Sequence, residues 1–255
     1  MDILYLAVLG LVQGLCEFLP ISSSGHLVLL SNLFNIEDSL FVSIILHVAT
    51  LLAVVMVLRK EVWQIIRHPF SNEAMNIYIA TIPTAIIVLI LMPIVNLSFG
   101  GGFLAISFLI SALLLLFSEH YYKKKEVSFQ KDFSYKNALI MGVAQGLAVF
   151  PGISRSGTTI CAGLLSGAKK EDSAKFSFLM SIPIIILSLL MEIFKIIVQK
   201  EPISVNVIGL IISFEIAFVI GILSIKLMLK LTQKLSFKWF SLYLLAIAVL
   251  TLILI

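Results

Sequence analysis

Apolar residues run through this chain in long stretches, and those stretches predict helices that span a membrane. A spanning helix needs about 20 mostly apolar residues, and six stretches reach or approach that length. These stretches are Phe41–Leu58, Ile77–Val95, Leu97–Phe117, Phe176–Phe194, Val205–Leu229 and Trp239–Ile255. We therefore expect an all-α polytopic membrane protein with six spans.

Two further apolar stretches each end in a polar break. Ile3–Leu19 leads into Pro20–Gly25, and Ala138–Phe150 leads into Pro151–Gly157. A second apolar piece, too short to span, follows each break. Because non-helical backbone at membrane depth is tolerated where it is buried in protein or lines a wet cavity, the pattern predicts two re-entrant helical hairpins. The expected total is about ten helices.

An internal repeat relates the two hairpins. Shifted by 132 residues, Gly10–Gly25 matches Gly142–Gly157 without a gap, and nine of the sixteen positions are identical. The chain is therefore predicted to be one integral membrane domain, 1–255, made of a first repeat, a cytoplasmic linker and a second repeat: 1–120, 121–136 and 137–255. Each repeat has a hairpin and three spans, and because three is odd the repeats must have opposite orientations. Such an inverted-topology repeat places its functional site near the midplane, where the broken elements meet.

Composition and charge exclude other classes of protein. Of 255 residues, 60% are apolar and 13% are charged, whereas a soluble domain has roughly 25% charged residues. These proportions exclude a soluble enzyme and a disordered chain and argue against a nucleic-acid binder. With both hairpins re-entrant, fifteen basic residues fall on one side and only Lys195 and Lys200 on the other. Because basic loops face the cytoplasm, we expect both termini and the mouth of the first hairpin to face outward.

Three ionisable residues, Glu17, His26 and Arg155, fall at the predicted meeting point of the hairpins. Ionisable residues at membrane depth are costly and are a functional-site hypothesis by default. Both breaks also begin a helix, whose free N–H groups and positive dipole end suit a phosphate. Arg155 adds a planar guanidinium for phosphate oxygens, Glu17 suits a divalent cation or a general base, and His26 suits proton exchange. The pattern predicts phosphoryl chemistry or phosphate transport.

Some of these residues also have structural interpretations that the sequence leaves open. Four serines suit helix N-caps, a role that does not exclude binding: Ser22, Ser24, Ser154 and Ser156. Glu17 and Arg155 suit a structural salt bridge. Outside the breaks, Gln13 and Gln145 are favoured as interhelical hydrogen-bonding residues. His47 and Thr50 are expected to be satisfied by neighbours or to line the cavity.

The two breaks closely resemble the signature motifs of the bacterial undecaprenyl pyrophosphate phosphatases, the bacitracin-resistance family. The resemblance lies in Gln13–His26 and Pro151–Gly157, and it extends to Leu46–Val54 and Phe176–Leu179. It implies an enzyme of the bacterial plasma membrane that removes the terminal phosphate of undecaprenyl diphosphate and so regenerates the lipid carrier for peptidoglycan synthesis. It also implies a divalent cation, Mg²⁺ or Ca²⁺, and a site that faces the periplasm.

Position by position, the resemblance implies a catalytic set, a diphosphate-binding set and a metal ligand. The catalytic set is Glu17, Ser23, His26 and Arg155, and the binding set is Ser22, Ser24, Ser154, Arg155, Ser156 and Gly157. Glu17 is the implied metal ligand. Gln13 is the second candidate metal ligand: members of the family have Glu or Gln at this position, and Gln13 offers a neutral carbonyl, so a site made of a carboxylate pair is not expected here. Ser23 is the nucleophile or orients a water, and His26 or Glu17 handles the proton.

Three alternative functions are weighed against this one. Inverted repeats with broken helices are also typical of secondary transporters, so a polyprenyl-phosphate transporter or flippase is the main alternative. The unrelated lipid phosphate phosphatases share a Ser-Gly-His stretch and a Ser-Arg pair, but no histidine follows Arg155 as their pattern requires. A scaffold role would leave the intramembrane ionisable residues unexplained. The expected partners are a polyprenyl diphosphate and membrane lipids rather than nucleic acid, and the sequence does not decide between a monomer and a homodimer.

Overall fold

The computed structural model describes residues 2–34, 40–98, 102–124, 133–199, 206–234 and 236–254. In these ranges it contains eleven helices and no strand. The helices are α1 (Ile3–Cys16), α2 (Ser23–Phe34), α3 (Leu40–Val57), α4 (Arg59–Arg67), α5 (Asn72–Ser98), α6 (Leu104–Lys124), α7 (Tyr135–Leu147), α8 (Arg155–Leu165), α9 (Lys170–Gln199), α10 (Val207–Lys234) and α11 (Lys238–Leu254). The all-α prediction is confirmed.

Several helices are long and apolar enough to cross a membrane, which confirms a multi-pass protein. Within the described residues α5, α6, α9 and α10 meet that requirement alone, and α3 with α4 forms a bent fifth candidate. The sixth predicted span corresponds to α11, an apolar helix of 17 residues that is shorter than the others. Small parts of the predicted spans, residues 99–101, 205 and 255, lie outside the described residues.

The helix α4 was not predicted, and it raises the expected total of about ten helices to eleven. It follows α3 at an angle of 84°, with Leu58 between them outside helical backbone geometry. The apolar run ends at Leu58, and α4 begins with Arg59 and Lys60. Because α4 is amphipathic and leaves Trp63 and Ile66 exposed, it suits the membrane interface rather than a continued span.

The packing of the helices repeats between the two halves of the chain. In the first half α1 belongs to the hairpin and packs against α10, and in the second half its counterpart α7 packs against α5. Helices α6 and α11, which also correspond at the repeat offset, pack against each other. Each half therefore packs its hairpin helix against a span of the other half. The boundaries of the two repeats and their opposite orientation stay predictions, and residues 125–132 of the predicted linker lie outside the described residues.

Equivalent glycines allow these two helix pairs to approach closely. A Cβ atom at Gly10 would lie 2.3 Å from the carbonyl oxygen of Ser213, and one at Gly142 would lie 2.3 Å from that of Ala80. Both distances are shorter than any van der Waals contact, and the opposing atoms are backbone. The α1–α10 and α5–α7 contacts therefore depend on glycine at these positions.

Replacing Gly10 with alanine should destabilise the protein. The added methyl group forces the α1–α10 pair apart, and overpacking of this kind costs about 1–3 kcal/mol of unfolding free energy. We expect a lower thermal unfolding midpoint for the purified protein in detergent. Gly102→Ala is the matched control, because a Cβ atom there meets no atom within 4 Å. Equal midpoints for the two variants would show that the close approach is not required.

Candidate functional site: a buried carboxylate between the two hairpin breaks

The two polar breaks lie against each other. The Ser156 hydroxyl donates to the Leu19 carbonyl at 3.0 Å, which joins the start of α8 to the first break. On the other side of the contact, a Cβ atom at Gly25 would lie 2.7 Å from the Cα of Gly152. Gly152 itself has a φ of +89°, a backbone conformation that only glycine adopts without strain. The first turns of α2 and α8 are thereby brought to one place.

Ser22 and Ser154, equivalent in the repeat, cap the two short helices. The Ser22 hydroxyl accepts from the Gly25 N–H at 3.2 Å, and the Ser154 hydroxyl accepts from the Gly157 N–H at 3.1 Å. Both serines are buried, so the N-cap interpretation is confirmed for them. Ser22 also has a φ of +68°, which is uncommon for a residue with a side chain and places local strain beside the site.

The first backbone N–H groups of α2 and α8 are free to bind a ligand. Those of Ser23, Ser24, Arg155 and Ser156 have no hydrogen-bond partner among the described residues. Because such groups, together with the helix dipole, favour an anion, the meeting of two helix N-termini forms a concave anion-binding surface. The side chains of Ser24 and Ser156 approach their neighbouring cap serines at 3.5 and 3.4 Å.

Glu17 lies at the centre of the site and accepts from three side chains. One carboxylate oxygen, Oε1, is bonded to the Arg155 guanidinium. The other, Oε2, accepts from the Ser23 hydroxyl at 2.5 Å and from the Gln13 amide at 3.1 Å. The Glu17 side chain is only 3% exposed, whereas that of Arg155 is 23% exposed. The structure thus brings together four residues singled out in the sequence, and the suggested Glu17–Arg155 salt bridge is present.

This geometry gives Ser23 a general base. A base must lie within hydrogen-bond reach of the proton that it abstracts, and the Ser23 hydroxyl donates directly to Glu17. Ser23 is also the first residue of α2 and is half-buried. Its oxygen therefore lies where Glu17 can take its proton and where the helix dipole favours a phosphate.

His26 lies in the first turn of α2 and is hydrogen-bonded through both ring nitrogens. Its Nδ1 donates to the Ser22 carbonyl at 2.7 Å, and its Nε2 bonds the Tyr243 hydroxyl at 2.8 Å. The ring stacks on Tyr243 and meets the Phe108 ring edge-on. Among the described residues His26 makes no hydrogen bond to Ser23 or Glu17. The hydrogen bond from His26 fixes the strained backbone turn at Ser22, and Ser23 is the next residue along the chain.

Arg155 also faces a cavity of about 90 Å³. The other residues that line it are His47, Ile184, Ile185, Ser188, Leu189 and Glu192. His47 lines the cavity, as one of its two alternative predictions stated, and its Nδ1 bonds the Ser43 carbonyl at 2.8 Å. Thr50 is satisfied by the carbonyls of its own helix.

Two functional candidates, Tyr243 and Glu192, were missed in the sequence. Tyr243 comes from α11, 217 residues after His26, and nothing in its local sequence distinguishes it from an ordinary aromatic residue of a span. Glu192 could have been found, because it is an ionisable residue inside the predicted span Phe176–Phe194 and the rule that singled out Glu17 applies to it equally.

The two glutamines of the repeat have different roles. Gln145 bonds Thr84 on α5 and Met180 on α9, so its interhelical prediction is confirmed. For Gln13 that prediction was wrong, because its amide nitrogen donates to Glu17 one helical turn away. The Gln13 Oε1 atom is buried and has no partner in the described part of the chain.

These oxygens fit a divalent cation only in part. Mg²⁺ and Ca²⁺ prefer oxygen ligands, and the Glu17 carboxylate with the unpartnered Gln13 carbonyl oxygen is such a donor set. No group of three His, Cys, Asp or Glu side chains that could hold a metal occurs among the described residues. A cation here would therefore need phosphate oxygens of the substrate and water as further ligands, an arrangement common for Mg²⁺.

The fold and the site define a multi-pass, all-α membrane protein with a buried serine–carboxylate–arginine cluster between two broken helical elements. The chain belongs to the family described as bacitracin resistance protein BacA, which it matches over residues 6–250. It is 40% identical to an undecaprenyl-diphosphatase of Methanosphaera stadtmanae, covering 100% of this chain and 98% of that protein. Two further proteins of the same name are similar in length. The one from Thermosipho melanesiensis is 39% identical over 97% of both chains, and the one from Bacteroides fragilis is 40% identical over 96% of both. The family resemblance is thus confirmed.

Proposed function

We propose that this protein is an undecaprenyl-diphosphatase, which hydrolyses undecaprenyl diphosphate to undecaprenyl phosphate and inorganic phosphate. The observation that carries the proposal is the Ser23 hydroxyl donating to Glu17, which at the same time holds Arg155. Membership of the BacA family and the name shared by relatives of about 40% identity support it. The activity links the protein to cell-wall synthesis and bacitracin resistance.

The diphosphate is bound at the meeting point of α2 and α8. The free N–H groups of the two helix N-termini donate hydrogen bonds to the terminal phosphate, and the Arg155 guanidinium binds its oxygens. Stabilising the charge that develops on these oxygens is the main task in phosphoryl transfer. Because Arg155 is shared between Glu17 and the cavity, one side chain orients both the base and the substrate.

The first chemical step forms a phosphoserine. The Ser23 oxygen attacks the terminal phosphorus, and its proton moves to Glu17. The bond between that phosphorus and the bridging oxygen breaks, and the electron pair leaves on the lipid monophosphate. Glu17 then carries the proton that Ser23 has lost, so its charge is neutralised as the phosphoryl group arrives.

The second step releases inorganic phosphate. A water molecule attacks the phosphoserine, the bond between phosphorus and the Ser23 oxygen breaks, and the serine oxygen recovers a proton from Glu17. The water proton leaves with the phosphate or to solvent. His26 acts as a positioning residue in both steps, because it holds the Ser22 carbonyl while Ser23 changes partners.

A divalent cation is part of the proposal. Glu17 and the Gln13 carbonyl oxygen would hold it together with phosphate oxygens, and it would supply positive charge for the diphosphate. The unpartnered Gln13 oxygen supports this assignment. Because Gln13 is neutral, the site offers one carboxylate fewer than a pair, and the substrate's own oxygens would complete the coordination.

We place the protein in the bacterial plasma membrane with the site and both termini facing outward. The distribution of basic residues supports this orientation, and the ion pair of Glu61 on α4 with Lys175 on α9, 2.7 Å apart, joins two segments assigned to the cytoplasmic side. The substrate and the surrounding membrane lipids are its partners.

Purified protein in detergent should release inorganic phosphate from undecaprenyl diphosphate. The assay is run with Mg²⁺, with Ca²⁺ and with a chelator, and loss of release with the chelator is the result expected from the cation proposal. In parallel, protein reconstituted in vesicles is tested for transfer of a polyprenyl phosphate across the bilayer. Transfer without phosphate release would favour the transporter function instead.

A further inference from the structure

The cavity beside Arg155 contains two ionisable residues that the proposed reaction does not use. His47 comes from α3 and Glu192 from α9, and both line the cavity together with Arg155. The remaining wall is formed by Ser188 and by aliphatic side chains of α9. An imidazole and a carboxylate in a mainly apolar wall are costly unless they bind something.

One of the two ring nitrogens of His47 has no hydrogen-bond partner among the described residues. Nδ1 lies 2.8 Å from the Ser43 carbonyl, and because a carbonyl can only accept, Nδ1 carries the hydrogen. Nε2, at the opposite edge of the ring, has no hydrogen-bond partner among the described residues. In His26, by contrast, both ring nitrogens are bonded. His47 is therefore oriented by its own helix and is available to a ligand.

The charges of the site favour a second cationic ligand. The Arg155 guanidinium is already paired with Glu17, so this pair is neutral overall before substrate arrives. A diphosphate group brings at least two negative charges into a poorly hydrated site. Of the described residues that line the cavity, His47 is the only other one that can carry positive charge. Glu192 lines the same cavity as His47 and Arg155.

Resting on the proposed function, we propose that His47 is a second phosphate-binding side chain that acts with Arg155 across the shared cavity. Its Nε2 donates to a phosphate oxygen as the imidazolium form, which the anion stabilises. Glu192 is a positioning residue that lies near the imidazolium and balances its charge.

The test compares His47→Gln with His47→Lys. Glutamine keeps a polar side chain but removes the positive charge, and a hydrogen bond from a charged group is worth about 10- to 100-fold in binding. We expect His47→Gln to raise KM for undecaprenyl diphosphate by that factor with little change in kcat, the pattern of lost ground-state binding. His47→Lys should recover most of the loss, and Glu192→Gln should raise KM by a smaller factor. His68→Gln, at the end of α4 and exposed, is the control and should match the unchanged protein.

Titration of inorganic pyrophosphate into each purified variant in detergent gives a measurement that does not depend on turnover. Weaker binding by His47→Gln, restored by His47→Lys, supports the inference. Equal pyrophosphate affinity for all variants overturns it, even where phosphate release is normal and the proposed function therefore stands. If the unchanged protein releases no phosphate, the proposed function fails, and the titration still decides whether His47 binds phosphate. Thermal unfolding midpoints confirm that the variants compared are folded.

Discussion

Replacing Ser23 with alanine should lower kcat by at least about 10³-fold, because the variant lacks the oxygen that attacks phosphorus. Glu17 and Arg155 remain paired in this variant, so the substrate should still bind and KM should change little. The measurement is the steady-state release of phosphate from undecaprenyl diphosphate. Ser31→Ala is the matched control, since Ser31 lies on the same helix α2 and its hydroxyl bonds the Leu27 carbonyl two turns from the site.

A covalent intermediate gives a sharper form of the same prediction. Rapid acid quenching of the unchanged protein during turnover, followed by mass spectrometry, should find a phosphoryl group on the peptide that contains Ser23. The Ser23→Ala variant should show none. If the variant keeps substantial activity and no phosphopeptide forms at any time, water attacks directly and Ser23 only orients it. Retained activity would also leave Glu17 as a base for that water.

The spans could be predicted well because a lipid environment imposes a simple rule. Long apolar runs are helices there, since a single segment can satisfy its backbone hydrogen bonds within itself only as a helix. The prediction for α11 differs from the observed helix by only one residue at its start. This rule did not detect helix α4, because the helix has only nine residues and its charged residues are typical of a loop. Its amphipathic pattern is a signal that a search for long apolar runs does not detect.

The partners of the spans could not be predicted in the same way. Helices such as α1 and α10 are apolar around most of their surface, so the pattern does not say which face meets which neighbour. The close contact of Gly10 with Ser213 shows what selects the α1–α10 pair. Glycine has no side chain, so the backbone of the other helix can approach it closely. The repeat supports these pairings, because the equivalent glycines of α1 and α7 pack against the equivalent helices α10 and α5. The correspondence is visible only once both helix pairs are known.

At the site, the repeat alignment was informative because it showed where the two halves differ. Glu17 aligns with Val149, and Ser23 aligns with Arg155. The structure brings Glu17, Ser23 and Arg155 into hydrogen-bond contact. The pairing of Ser23 with Glu17 rather than with His26 depends on how the first break turns at Ser22. Contributions from distant helices, such as Tyr243 to His26, have no local signal and required the fold.

Replacing Arg155 should have the other large effect, and the choice of variant decides what it shows. Arg155→Ala removes the phosphate ligand but also leaves Glu17 buried without its counter-charge, which typically costs about 3–5 kcal/mol of stability. Loss of activity in that variant therefore mixes unfolding with lost binding. Arg155→Lys keeps the charge and removes only the planar fork that binds two oxygens at once. We expect it to stay folded and to lose about 10²-fold in kcat/KM.

The double variant Glu17→Gln with Arg155→Gln separates stability from chemistry. It removes both charges, so neither is left unpaired in the protein interior, and neutral replacement of a buried pair is often close to neutral in stability. We expect the thermal unfolding midpoint of the double variant to be closer to that of the unchanged protein than the midpoint of Arg155→Ala is. We also expect its kcat/KM to fall by at least about 10³-fold. If the double variant were active, the pair would be a structural salt bridge alone. If the double variant is folded but inactive, the Glu17–Arg155 pair takes part in the reaction. Its charges then act on the substrate and on the proton of Ser23 rather than holding the hairpins together.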